Sequence, residues 1–267
     1  MRPTFGREYI ENEFQRIGDG LSEPLTVYLI GGGAMSLRDL KGATKDIDLV
    51  VPDGDAYGQL WAVLMDLGYA EVQSLDPDYR ALGATSCVEN DDGCRLDIFN
   101  QQVANKLVLT DGMQERSDPF LNLDRLTVRL VSNEDIFLFK AIAGRDDDIE
   151  DMNMLVQAGL DYDVVRKELE AQIERLGDDQ FATFANEALV ELEERYGVTT
   201  PIEARVQELT NRYYRGLEVL QTLDEPMTVD ELAAELELDT DEIHDRLAYL
   251  STFDRVRRDG DTVRPVE

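Results

Sequence analysis

The sequence predicts an α+β protein: a mixed sheet with helices, then a helical segment, then a smaller C-terminal unit. Three observations carry this. Short apolar runs bounded by glycine, proline or polar turns recur at Leu25–Ile30, Thr44–Val51, Gly83–Glu89, Cys94–Phe99 and Leu126–Val131. Beyond residue 132 the apolar residues fall at helical spacing instead. After Gly197-Val198-Thr199-Thr200-Pro201 a long amphipathic stretch leads to a segment with its own cap and hairpin signals. The expected divisions are 1–131, 132–200 and 201–267.

Taken in order, Thr4 to Ile17 places Phe5, Tyr9, Ile10, Phe14 and Ile17 near helical spacing, and Pro24 opens the strand Leu25–Ile30. Gly31, Gly32 and Gly33 end that run, and a short helix over Ala34–Leu40 follows. Lys41-Gly42-Ala43 turns the chain into the strand Thr44–Val51, which Pro52-Asp53-Gly54 stops. Tyr57–Leu67 reads as an amphipathic helix; it holds the only tryptophan, Trp61, and core packing accounts for it. Strands over Tyr69–Leu75, Gly83–Glu89 and Cys94–Phe99 come next, the last two joined by a hairpin turn. Cys87 and Cys94 bracket that turn and could face one another across it. Zinc would need two more soft ligands, and the one histidine, His244, lies far along the chain, so the expectation is two free thiols.

Asn133-Glu134-Asp135 supplies a helix start with acids in its first turn. Helices over Val164–Leu176, Phe181–Tyr196 and Ile202–Leu223 follow. Thr228 with Glu231 forms a capping box, a second helix starts near Leu238, and Arg255–Arg264 makes a hairpin on an Asp-Gly turn. Helix, helix-turn-helix and basic hairpin resemble a winged helix. Arg255, Arg257, Arg258 and Arg264 suit contacts to DNA phosphates or to a protein. Asp239, Asp241, Glu242 and Asp245 oppose a DNA role, and packing or homodimer formation is the competing use of such a unit.

The chain's 267 residues carry a net charge of −31. The acids are spread throughout, and only five lysines are present (Lys41, Lys45, Lys106, Lys140, Lys167). This is the composition of a halophile's cytoplasmic protein, in which salt screens the self-repulsion. The 43% hydrophobic content and regular periodicity argue against disorder. Screening by molar salt also leaves RNA and DNA open as partners. No run approaches a membrane span and no signal-peptide pattern is present, so no membrane association is expected.

Chemistry concentrates in the second strand. Asp46 and Asp48 sit at i and i+2, so in a strand both project to one face. Adjacent carboxylates each raise the cost of ionising the other. A divalent cation such as Mg²⁺, bound through carboxylates and nucleotide phosphates, relieves that cost. Gly31–Gly33 just upstream let backbone amides approach phosphates closely. The plain alternative is a pair of solvated charges on an edge strand. Lys140 is the single cation inside the apolar run Ile136–Ala143, and either a triphosphate or a structural carboxylate would balance it.

Apolar-Gly31-Gly32, a spacer and Thr44-Lys45-Asp46-Ile47-Asp48 resemble the nucleotidyltransferase superfamily of polymerase-beta-like fold. Within it the chain resembles the AbiEii/MenT toxin-type and minimal nucleotidyltransferases. The resemblance implies a third carboxylate on a later strand, which Asp97 in Arg95-Leu96-Asp97-Ile98-Phe99 offers. It implies Asp46, Asp48 and Asp97 as catalytic and metal-binding residues, with Mg²⁺ or Mn²⁺ as cofactor and an NTP as substrate. Gly31, Gly32, Gly33, Ser36, Arg38, Lys45, Lys140 and Asp148 are the implied nucleotide-binding residues. For Arg38 an ion pair with Asp39 or another acid is the alternative. Relatives also carry a run like Arg145, Asp148 and Asp151 after the lysine. The acceptor is left open among RNA, protein and small molecules. A toxin of a toxin–antitoxin pair and a nucleotide-sensing, DNA-binding regulator are both compatible.

Overall fold

The computed structural model describes residues 3–73, 83–103, 106–177 and 179–266. A seven-stranded sheet is assembled around β1 (Leu25–Ile30) and β2 (Asp46–Val51), which run antiparallel with Leu29 opposite Leu49 and Ile30 opposite Asp48. β2 pairs in parallel with β5 (Arg95–Asn100), while β1 pairs in parallel with β9 (Leu126–Leu130). β3 (Ala70–Glu71) and β4 (Ser86–Glu89) extend the sheet beyond β5, and β8 (Asp118–Asn122) extends it beyond β9. The spatial order is β3-β4-β5-β2-β1-β9-β8. β6 (Gln102–Val103) and β7 (Leu107–Val108) form a separate pair. The α+β class with a mixed sheet therefore holds.

Strand alternation divides the sheet chemically. Leu29, Leu49, Leu96 and Ile98 share one face and are fully buried. α1 (Arg7–Gly20) and α3 (Gly54–Asp66) pack on each other and cover that face, Gly18 resting on Leu126 and Gly20 on Val63. Asp46, Asp48, Arg95 and Asp97 take the other face.

Four local expectations shift. The first helix begins at Arg7, because Phe5 instead forms a β-bridge with Thr44 through reciprocal backbone hydrogen bonds. The second helix, α2 (Gly31–Leu37), starts on the glycines themselves, since Gly31 at φ +62° turns the chain straight from strand to helix. Cys87 does not face Cys94: the register sets it opposite Asp97. Asn90 captures Cys94 inside the turn, its side chain accepting from the Cys94 amide at 2.9 Å. Both thiols are free, as expected. Of the strand expected at Tyr69–Leu75 only Ala70–Glu71 is strand, and the part beyond residue 73 lies outside the described residues.

The helices that follow are α4 (Asp111–Arg116), α5 (Asn133–Ala143), α6 (Asp146–Ala158), α7 (Tyr162–Leu176) and α8 (Phe181–Tyr196). Ser132 caps α5, and Gly144 at φ +59° ends it. The chain forms two compact units, Met1–Gln172 with Glu187–Thr200, and Ile173–Asn186 with Pro201–Glu267. The second unit contains α9 (Glu203–Thr222), β10 (Met227–Thr228), α10 (Val229–Glu235), α11 (Thr240–Thr252), β11 (Val256–Asp259) and β12 (Thr262–Pro265). Its strands order as β10-β12-β11, and Val219, Leu232, Ile243, Leu247, Leu250 and Val263 form its core. The Thr228–Glu231 capping box is present at the start of α10. No helix among the described residues is long and apolar enough to cross a membrane.

Leu49, fully buried in the central strand, sets the scale of the core. Leu49→Ala is expected to lower the unfolding free energy by about 2–5 kcal/mol. Val190→Ala, at an exposed site, should change it by less than about 0.5 kcal/mol. Denaturant unfolding followed by Trp61 fluorescence measures both.

Candidate active site

The polar face of the sheet places its acids by register. Asp97 is the direct partner of Asp48 across the parallel pair, and Arg95 is the partner of Asp46. Cys87 is the partner of Asp97 on the other side. One row across the sheet therefore reads Ile30, Asp48, Asp97, Cys87. Asp97 and Cys87 are buried, at 1% and 4% exposure.

Gly31 decides how Asp48 sits. A Cβ on Gly31 would lie 2.4 Å from the Asp48 Oδ2 atom, and its φ of +62° is one that other residues rarely adopt. Glycine is thus required here twice over. Gly32 and Gly33 are less constrained: a Cβ on either would meet its neighbours at ordinary contact distance.

Burial, then the charges of Asp97 and Asp46, push the Asp48 carboxyl up to about 7, while Lys140 and Arg145 pull it back. The Cys87 thiol is also pushed up, by burial, by the Asp97 charge and by its hydrogen bond to Asp97.

The cations acting on Asp48 belong to a buried ion network between α5, α6 and the turn before β2. Lys140 Nζ lies 2.6 Å from Asp148 Oδ1 and 2.8 Å from Asp151 Oδ2. Lys41 Nζ reaches the other Asp151 oxygen at 2.5 Å. Arg145 clasps Asp148 through Nε at 2.8 Å and Nη2 at 3.1 Å. Asp148 and Asp151, three residues apart, share a face of α6 and so meet the same ammonium. Burial works against the charge of Lys140, but the two carboxylates outweigh it and raise its pKa. Burial likewise opposes ionised Asp148, and Arg145 with Lys140 outweighs that and lowers its pKa. Structural carboxylates therefore balance Lys140.

A second network anchors the helix that carries Lys140. Arg116 binds Asp135, in the first turn of α5, and Glu168 of α7, both at 2.6 Å. Thr110 donates to Glu168 at 2.8 Å. Asp135 is fully buried, and burial raises its pKa against the opposing pull of Arg116.

Among the sequence candidates, Asp46, Asp48 and Asp97 share one face of the sheet, Asp48 and Asp97 in direct register and Asp48 against Gly31, with Lys140 within electrostatic reach. Ser36 is buried in α2, and Lys45 is exposed immediately before Asp46. Arg38 is engaged elsewhere: its Nη2 donates to Asp118 at 2.9 Å and to the Leu130 carbonyl at 3.3 Å. Two residues of the site were not read from sequence as functional. Lys41 read only as part of a turn, although scarcity of lysine was a signal. Cys87 depends on a register that one sequence does not disclose.

Among the described residues no three His, Cys, Asp or Glu side chains stand gathered as a ready-made metal cluster. The donor set nonetheless fits a hard divalent cation. Mg²⁺ typically takes one or two carboxylates and completes its shell with substrate phosphates and water. Asp48 and Asp97 are such a pair, side by side in register, and burial first, then the Asp97 charge, disfavours an ionised Asp48 unless a cation is near.

Residues 10–196 match the family described as "Nucleotidyltransferase of unknown function (DUF6036)". No curated protein matches the chain.

The Asp48 shift has a sign. Folded Asp48 holds its proton to about 7, against 3.8 for the ordinary group, so the folded state binds more protons between those values. Its contribution to stability therefore falls as pH rises through that window. Thermal melts of metal-free protein across the window should show wild type losing stability relative to Asp48→Asn. Parallel pH curves would contradict the assignment.

Proposed function

The chain belongs to that nucleotidyltransferase family, and we propose that it transfers a nucleoside monophosphate from an NTP to a hydroxyl acceptor in a divalent-cation-dependent reaction. The observation that carries this is the in-register pair Asp48–Asp97, flanked by Asp46 and seated against Gly31. Asp46, Asp48 and Asp97 would hold Mg²⁺ or Mn²⁺, which supplies charge neutralisation of the triphosphate and of the in-line displacement. Asp97, buried next to Asp48, would accept the proton of the attacking hydroxyl. The new bond joins the acceptor oxygen to the α-phosphorus; the bond from that phosphorus to the bridging oxygen breaks, and pyrophosphate leaves. Gly31–Gly33 form the first turn of α2, where the lack of side chains lets phosphates approach the backbone. Ser36 and Lys45 would supply further phosphate contacts, and Arg38, at the far end of α2, would join them only by leaving Asp118. Lys140, fixed by Asp148 and Asp151, would act by its potential at the site.

The acceptor hydroxyl would belong to RNA such as tRNA, to a protein or to a small molecule. Action as the toxin of a toxin–antitoxin pair is a further form of the same reading and would show as growth arrest on expression. A second reading makes the chain a nucleotide-responsive regulator whose winged-helix-like C-terminal unit contacts DNA. Exposed Arg257, Arg258 and Arg264 on the β11–β12 hairpin favour it. Arg255 is less available, lying 3.3 Å from buried Asp179 and over the Phe253 ring.

The test offers α-labelled NTPs with total RNA, with the protein itself and with a small-molecule extract, in Mg²⁺ and molar KCl. Label should enter one fraction and vanish for Asp46→Ala/Asp48→Ala. Asp97→Asn should slow transfer by about 10²–10⁴-fold. Nucleotide binding without transfer to any fraction would favour the regulator.

A further inference from the structure

The second unit carries a feature that the nucleotidyl-transfer site does not use. α9 and α11 approach closely at Gly216, where a Cβ would meet Leu250 Cδ2 at 3.0 Å and Tyr249 Cε1 at 3.5 Å. A groove of about 680 Å³ opens along these helices, with Arg212 and Arg215 from α9 and Asp245, Arg246, Ala248 and Tyr249 from α11.

Its charges are unevenly matched. Arg246 is neutralised within the unit by Glu218 at 2.5 Å and Glu242 at 2.8 Å. Arg215 and Asp245 line the same groove, yet among the described residues neither side chain has an ion-pair partner. An unmatched surface arginine is notable in a chain with 57 acidic and 26 basic side chains. The groove also presents aromatic surface. Arg212 lies over the Tyr249 ring at 4.7 Å, and the Tyr249 hydroxyl is buried without a hydrogen-bond partner among the described residues.

We infer that this groove is the surface through which two copies of the chain pair about a two-fold axis. A two-fold contact presents one patch to itself, so any charge in it has to meet the opposite sign from the same patch. Arg215 on one helix and Asp245 on the other meet that requirement, each copy's arginine facing the other's aspartate. Tyrosine and arginine are the residues enriched at the centres of such contacts. A polyanion fits less well, because Asp241, Glu242 and Asp245 lie along the first turns of α11.

Sedimentation equilibrium of the full chain, at low salt and in molar KCl, tests this. Wild type should have dimer mass. Arg215→Asp and Asp245→Arg should each weaken the dimer at least about tenfold, and the double reversal should restore it. Ala248→Trp should block pairing by bulk alone, with circular dichroism showing each variant folded. A monomeric wild type overturns the inference. So does a dimer indifferent to these changes, or a double reversal that fails to restore pairing.

Discussion

Two carboxylates held side by side are the constraint on which the rest of this structure depends. Parallel pairing of β2 with β5 fixes Asp48 next to Asp97, and alternation adds Asp46 two residues away on the same face. Neither strand can slip by one residue to relieve the repulsion, because the opposite face buries Leu49, Leu96 and Ile98 completely. The hydrophobic core thereby holds in place a charge arrangement that electrostatics alone would disperse. Burial in that core, with the neighbouring Asp97 and Asp46 charges added to it, raises the Asp48 carboxyl.

The surroundings are arranged to contain it. Gly31 yields the space that Asp48 takes up. Lys140 and Arg145 bring positive potential to the site while their own charges are bound by Asp148 and Asp151. Lys41 ties the turn before β2 to Asp151, so the strand of aspartates and helix α6 are fastened by one carboxylate. A buried ion network of this kind does little for net stability, but its geometry is costly to break, which suits a site that must keep its shape.

Much of this was legible in the sequence because it rests on local pattern. Leu25–Ile30 begins and ends where the apolar run does, and Phe181–Tyr196 is the helix that its periodicity describes. Asp46 and Asp48 were placed on one face by alternation alone. What stayed hidden was long-range. The pairing of Cys87 with Asp97 is set by the register of a hairpin whose turn swallows Cys94. Arg38 reaches Asp118, 80 residues away, and the link from Lys41 to Asp151 is equally nonlocal. β8 was missed because Asp118-Pro119-Phe120-Leu121-Asn122 is a sheet-edge strand containing proline, with none of its residues fully buried.

Direct observation of cation binding bears most closely on the central claim. Mn²⁺ added to the full chain, with and without a non-hydrolysable NTP, can be followed by loss of the free-ion electron paramagnetic resonance signal. The account predicts uptake by wild type that tightens with nucleotide and disappears in both Asp48→Asn and Asp97→Asn, each still folded. Uptake that survives both substitutions would contradict it.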